Sequence, residues 1–253
     1  MRLRSKSALA VPILTALVFS AALFVSSACL ITPAVRAAVA APSDDEKAKV
    51  LERLNQSAGT FHSASADVEF DQIETDPVYD KDVQAGGAFY EHSSSGVKMG
   101  VHMTKHNNRP SAKVLTFVDG AVKLFEPGED TVTTIAKAEK FQAYIVLGFG
   151  ASGRDLEAKW NIAYLGSENL SDGKAQVKTE KLELVPKDPE LRKNLLKVAI
   201  WIDPDRAVSL KQIFTLSSTS SRVCLYSNFK MNQGVPSDAF KFKTDSKTAY
   251  RTQ

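Results

Sequence analysis

The chain has 253 residues, of which 43% are hydrophobic and 24% are charged, and its formal net charge is +3. Four of the 32 basic residues fall within positions 1–40, so positions 41–253 hold 28 basic and 29 acidic side chains. This balance gives no basic block for a polyanion, and we therefore expect no nucleic-acid partner.

The N-terminal region, residues 1–40, has the three parts of a secretory signal peptide. Basic residues precede an apolar run over 8–31, and small residues stand at the −3 and −1 positions of a cut after Ala40. Cleavage there predicts an exported, periplasmic domain over 41–253. Two alternatives stay open: Cys29 as the acylated residue of an anchored lipoprotein, and an uncleaved membrane anchor, since a run of this length can span a bilayer.

The first element after this region is a predicted helix over 43–55. Ser43 and Glu46 have the spacing of a capping box, and the acidic residues beside them suit the positive end of a helix. Its apolar face is Val50, Leu51 and Leu54.

From residue 64 onward, apolar and polar residues alternate, which is typical of strands with one buried face. The alternation is clearest over 64–71 and 97–104, and Asp119-Gly120 between two apolar runs predicts a hairpin. The last predicted strand is 240–243. The pattern predicts a mainly β (α+β) single domain, with about ten or eleven antiparallel strands and helices at the start and in the middle.

The helical spacing returns once within the strand-rich region, over 137–147. The glycines after it spell G-x-G-x-x-G, a motif that cradles phosphates only between the strand and helix of a βαβ unit, which is not the pattern here. We therefore predict a helix that packs over the sheet, followed by a hinge, and no nucleotide cofactor. The helix face is Phe141, Tyr144, Ile145 and Leu147, and the hinge residues are Gly148, Gly150 and Gly153.

Side chains with catalytic or metal-binding potential are sparse. His102 and His106 have a zinc-ligand spacing for a helix, but they fall on a predicted strand, where their rings would not converge. Cys224 is interpreted as a small strand residue. We expect no catalytic residue, no metal and no cofactor; an unrecognised exported hydrolase that uses His102 or Asp67 is the remaining enzymatic alternative.

The predicted sheet has an excess of apolar and thioether side chains on one face. They form either an ordinary packed core or the wall of a cavity for acyl chains, because both need inward-facing apolar residues. The candidate lining residues are Phe70, Phe89, Met99, Val101, Met103, Leu115, Phe117 and Leu124.

Short motifs in their order along the chain resemble those of the periplasmic outer-membrane lipoprotein carrier (LolA-like) family. The segment 118–125 resembles the family's hairpin with Asp-Gly at its turn, and 182–187 resembles its Leu-x-Leu-x-Pro-Lys strand. Similar agreement is found at 61–65, 86–90, 200–203 and 240–242. One departure lies after the second strand: many members have Arg-Pro there, whereas this chain has Glu91-His92. The lid contact of that arginine would then be absent or be made by Arg109 or Arg154.

The resemblance implies an open, strongly curved antiparallel sheet, an unclosed barrel, with helices that act as a lid over the apolar concave face. It implies a non-catalytic carrier that binds the acyl chains of lipoproteins or other lipids and moves them toward the outer membrane. An inner-membrane transporter and an outer-membrane acceptor would then be its partners. The alternative is an envelope sensor or assembly factor that binds lipid or lipoprotein with the same fold.

Overall fold

The structure, a computed structural model, describes residues 44–93, 96–135 and 147–252. These residues form three helices, α1 (Asp44–Ala58), α2 (Gly153–Lys159) and α3 (Pro189–Arg192). They also form twelve strands: β1 (Ser63–Glu74), β2 (Asp80–Ser93), β3 (Gly96–His106), β4 (Arg109–Val118), β5 (Ala121–Glu126), β6 (Thr131–Ile135), β7 (Trp160–Ser171), β8 (Gln176–Pro186), β9 (Lys197–Asp203), β10 (Val208–Thr215), β11 (Ser220–Met231) and β12 (Ala249–Thr252).

All twelve described strands belong to one sheet, in the order β12, β6, β5, β4, β3, β2, β1, β11, β10, β9, β8, β7. Neighbouring strands are antiparallel, except that β12 runs parallel to β6. Two meanders, β1 to β6 and β7 to β11, are joined where β11 pairs with β1. Because β12 and β7 form the two edges of the sheet in this part of the chain, the sheet is open and is not closed into a barrel.

The end of the chain differs from the sequence-based prediction. Residues 240–243 are not a strand, and the last strand is Ala249–Thr252, which adds to the edge of the sheet at β6. The alternating apolar residues of 240–243 are explained by a side-chain contact. Phe242 packs on Phe125 with ring centroids 5.7 Å apart, so its apolar character reflects a side-chain contact and not membership of the sheet.

Helix α1 confirms the predicted first helix and continues it to Ala58. Acidic residues fill its first turn, where they interact favourably with the helix dipole. Its apolar face is buried against α2 and against the inner side of β7, β8 and β9. We call this packed region the helix-covered half of the sheet; its main members are Val50, Leu51, Leu54, Leu147, Leu156, Trp160, Leu182, Leu184, Val198, Ile200 and Ile202.

The outer face of the sheet is covered in two places. The segment between β11 and β12 crosses it, and its Ala239 carbonyl lies 3.0 Å from Nε2 of His102. At the other end, Glu168 of β7 accepts a hydrogen bond of 2.5 Å from the indole N–H of Trp201. The expectation of strands with one wet face therefore fails at these positions, because a distant segment covers His102 and side chains of other strands cover Trp201. Among the described residues, no helix has the length and apolar character that crossing a bilayer requires.

Candidate functional site

The half of the concave face formed by β1 to β5, β10 and β11 contains a cavity of about 840 Å³. We call it the apolar cavity. Small-molecule sites in proteins usually measure about 300–1,000 Å³, so this volume suits a ligand. Six of the eight candidate residues from the sequence line its wall: Phe70, Met99, Val101, Met103, Leu115 and Leu124.

The register of the antiparallel strands places these side chains next to one another. Val101 of β3 is paired with Leu115 of β4, and Leu115 is paired with Leu124 of β5. Paired residues project from the same face of a sheet, so the three side chains form one row across three strands. The alternation read from the sequence therefore produces a continuous apolar wall.

The other two candidates do not line the cavity. Phe117 is fully buried at the concave face, in the core cluster beside the cavity. Phe89 projects from the outer face of β2, where its ring meets that of His102 edge-on at a centroid distance of 5.3 Å. Both faces of β2 are covered here, so two adjacent aromatic residues are accommodated, and Tyr90 is the one that faces inward.

One end of the concave face is filled by an aromatic cluster that the sequence analysis missed. Phe149 stacks on Tyr90 with ring centroids 3.7 Å apart and meets Tyr226 edge-on at 4.9 Å. We call these three residues the aromatic plug. Phe149 stands between two glycines in the sequence, and nothing local indicates that its ring reaches β2 and β11. Only the contact between distant segments reveals it.

Several uncharged polar side chains contribute to the cavity wall. Burial raises the pKa of the Cys224 thiol to about 12, and burial also raises the pKa of the phenols of Tyr90 and Tyr226. The side-chain amide of Gln212 donates a 2.6 Å hydrogen bond to the Leu147 carbonyl. These four groups therefore carry no charge at neutral pH.

The predicted lid falls mostly outside the described residues, because Phe141, Tyr144 and Ile145 are not among them. Leu147, predicted on the same helix face, is buried in the helix-covered half. The lid role of all four residues therefore stays a prediction.

The glycines predicted as a hinge follow directly. Gly148 and Gly150 have φ of +77° and +68°, values that L-amino acids with side chains rarely adopt. The Gly148 carbonyl accepts a 2.7 Å hydrogen bond from the Ser209 amide, and the Gly150 amide donates one of 2.9 Å to the Ala207 carbonyl. Gly153 begins α2 and is buried. These bonds fix the position of the aromatic plug, and the hinge role of the glycines stays a prediction.

The residues considered for catalysis or metal binding are engaged in other contacts. His106 pairs with Asp82, and His102 lies against the Ala239 carbonyl, so their rings have separate partners. Asp67 accepts a 2.7 Å hydrogen bond from the side chain of Asn228. Across the described ranges, no group of three or more potential metal ligands is found.

A second depression, of about 770 Å³, lies between the tip of the β7–β8 hairpin and the outer faces of β1, β2 and β11. Asp67, Glu69, Lys105 and Lys211 are among its lining residues. Charges of both signs suit solvent better than an acyl chain. The apolar cavity is therefore the stronger candidate for a functional site.

Comparisons with known proteins reveal similarity in structure but not in sequence. No protein-family model and no curated protein matches the chain. An uncharacterized conserved protein from Thermus thermophilus superposes with a TM-score of 0.50 at 8% identity, covering 82% of this chain and 99% of that one. That likeness shows a shared fold and no more.

Two further structures are similar at a lower level. A putative outer membrane lipoprotein-sorting protein domain from Vibrio parahaemolyticus has 13% identity and a TM-score of 0.39, covering 77% of this chain and 94% of that one. A LolA superfamily protein from Nitrosomonas europaea has 14% identity and a TM-score of 0.38, covering 78% and 97%. The observed sheet, open, mainly antiparallel and partly covered by helices, has the architecture that the sequence features predict.

Proposed function

We propose that this chain is a periplasmic carrier that binds the acyl chains of lipoproteins or other lipids in the apolar cavity and moves them toward the outer membrane. The observation that carries the proposal is the cavity itself, about 840 Å³ of space lined mainly by aliphatic, thioether and aromatic side chains. Export of the domain rests on the signal-like features of residues 1–40.

The physical chemistry of the wall favours an acyl chain over a polar ligand. Transfer of each methylene from water to an apolar site is worth about 0.8 kcal/mol, so a chain of a dozen methylenes gains roughly 10 kcal/mol before entropic costs. Met99 and Met103 on the wall have flexible, polarisable side chains that adapt to chains of different shape. Binding at this site therefore needs no specific polar contact along the tail.

The same wall supports binding in preference to covalent chemistry. Its one thiol, Cys224, has a pKa of about 12 and is protonated at neutral pH, whereas the thiolate is the nucleophile. The phenols of Tyr90 and Tyr226 are also kept protonated by burial. We therefore propose a binding protein and not an enzyme.

A cavity-filling substitution tests the proposal. Leu124→Trp places a large ring in the cavity, whereas Lys123→Trp places the same ring at the neighbouring exposed position of β5. We expect the neutral fluorescent probe N-phenyl-1-naphthylamine to bind the native chain and to be displaced by a diacylated lipopeptide. Leu124→Trp should weaken probe binding by at least about tenfold, and Lys123→Trp should leave it unchanged.

Failure of the native chain to bind either the probe or the lipopeptide would contradict the proposal. Transfer is measured separately, as movement of the lipopeptide from donor to acceptor vesicles. Binding with transfer supports the carrier, and binding without transfer assigns the cavity to an envelope sensor or assembly factor instead.

A further inference from the structure

We infer that the ligand of the apolar cavity is an amphiphile with an anionic headgroup, a phosphate or carboxylate, which Arg222 binds at the mouth of the cavity. This inference rests on the proposed function, because it requires that acyl chains occupy the cavity. It adds the chemical class of the headgroup and the direction in which the ligand lies.

The charges of the lining residues have one sign. Lys113 of β4, Lys193 just after α3 and Arg222 of β11 contribute to the wall, while the lining contains no aspartate or glutamate among the described residues. The three cations come from separate elements, so they surround the site and do not share one exposed strand. Lys113 and Lys193 are each paired with a glutamate outside the lining, so a positive field at the cavity comes mainly from Arg222.

The three cations differ in their partners. Lys113 lies 3.0 Å from a carboxylate oxygen of Glu126, and Lys193 lies 2.7 Å from one of Glu190. Within the described ranges, by contrast, no acidic side chain forms a salt bridge with Arg222. Its guanidinium carbon is 6.0 Å from the centre of the Phe70 ring, a distance typical of a cation–π contact. Arg222 is therefore the cation that retains its full capacity for an anionic ligand.

The position of Arg222 gives the ligand a direction. Arg222, Cys224 and Tyr226 occupy every second position of β11 and all line the apolar cavity. Tyr226 belongs to the aromatic plug, and Arg222 lies on the other side of Cys224. Residues two apart in a strand are about 7 Å apart. An acyl chain with its end at Tyr226 and its shaft beside Cys224 would thus place its headgroup at Arg222, away from the filled end of the concave face.

Arginine is well suited to this position. Its planar guanidinium donates two parallel hydrogen bonds to a phosphate or carboxylate and stays charged at all physiological pH values. The guanidinium lies beside Phe70 of the apolar wall, so the headgroup and the tail can be bound together. A neutral headgroup can accept a hydrogen bond from the guanidinium but gains no attraction between opposite charges.

The test compares two lipids that differ in one group. We would measure displacement of N-phenyl-1-naphthylamine by 1-myristoyl lysophosphatidic acid and by 1-monomyristoylglycerol, which have the same chain and glycerol. We expect the phosphate-bearing lipid to bind about tenfold more tightly. This ratio corresponds to the lower end of the energy range for hydrogen bonds to a charged group, as suits an exposed site. Arg222→Gln should reduce this preference to less than about twofold, and Arg222→Lys should retain part of it.

The matched control is Lys230→Gln, which removes an exposed cation from the same strand but outside the cavity wall and should keep the tenfold preference. Glycerol 3-phosphate is included to separate a lipid headgroup from a free phosphate. It should not displace the probe, and displacement at similar concentrations would overturn the inference. Equal affinities of the two lipids in the native chain would also overturn it while leaving the proposed function intact. Failure of both lipids and of the probe to bind would overturn the proposed function itself.

Discussion

The two halves of the concave face have the same alternating strand pattern but different covers. In the helix-covered half, Val50, Leu51 and Leu54 of α1 pack against the side chains of strands β7 to β9. The interior of this half is therefore filled. In the other half, the described residues place no helix over β2 to β5, and the apolar cavity lies there. Strand alternation alone therefore determines which residues face inward, and the cover determines whether they meet a protein side chain or a space.

This difference has an energetic consequence. Side chains in the filled half have protein neighbours on all sides, so each truncation leaves a void that the structure closes only in part. Side chains on the cavity wall already have a free surface, so truncation removes fewer contacts. Stability should therefore depend mainly on the helix-covered half, and ligand binding mainly on the cavity.

The largest expected effect compares one leucine from each half. Leu54 is fully buried on the inner face of α1, whereas Leu115 is half-buried on the cavity wall. Leu54→Ala should lower the free energy of unfolding by about 2–5 kcal/mol, and Leu115→Ala by less than about 2 kcal/mol. Urea denaturation of both variants measures the difference, and equal losses would show that the cavity wall is packed as tightly as the core.

The second prediction removes the aromatic plug. Phe149→Ala deletes the ring that stacks on Tyr90 and should lower the free energy of unfolding by about 3 kcal/mol. The cavity would then extend into the filled end, so the preferred acyl chain should become longer. Competition among fatty acids of increasing length measures this shift, with Phe149→Leu as the milder control. An unchanged length preference would mean that the plug does not limit the cavity.

The third prediction concerns alkaline pH. The pKa of Cys224 is raised by burial from 9.0 to about 12, so the folded state holds this proton more tightly than the unfolded state. Its contribution to stability is complete below pH 9 and is lost as the pH rises from about 9 to 12. Between pH 8 and pH 10, the native chain should lose about 1 kcal/mol more stability than Cys224→Ala. Urea denaturation under reducing conditions measures both slopes; parallel slopes would show that the thiol ionises freely in the fold.

The smallest expected effect lies at the surface of the helix-covered half. Arg53 of α1 donates two hydrogen bonds, of 3.1 and 2.8 Å, to the carboxylate of Asp205 in the turn after β9. The Asp205 side chain is 71% exposed, so Asp205→Asn should cost less than about 1 kcal/mol. Arg53→Gln should cost more, because Arg53 also lies 3.6 Å from the buried Glu180. Thermal unfolding of the two variants gives the order, and a larger effect of Asp205→Asn would contradict it.

The sequence alone predicts much of the sheet and part of the cavity. The period of two predicts that Met99, Val101 and Met103 share one face, and all three line the apolar cavity, because this period is a local property of the strand. Phe89 projects from the outer face instead, where its ring contacts His102 of β3, and the segment that covers His102 comes from far along the chain. The sequence shows alternation but not which segments return to cover it.

The same reasoning explains the missed parts of the site. The aromatic plug depends on contacts of Phe149 with Tyr90 and Tyr226, which lie on two strands that are distant in sequence. The role proposed for Arg222 depends on which face of β11 is concave and on the lack of acidic residues among the described residues of the wall. Both are properties of long-range pairing, which a local pattern does not contain.

The most direct test of the apolar cavity as a binding site is to locate a bound acyl chain by NMR. Intermolecular nuclear Overhauser effects between myristate of natural isotope content and a methyl-labelled, otherwise deuterated protein report contacts within a few ångströms. The cavity account predicts contacts from the chain to the methyl groups of Met99, Met103 and Leu115 and none to those of Leu54. Contacts to Leu54, or an acyl chain that binds without contacts to the two methionines, would contradict it.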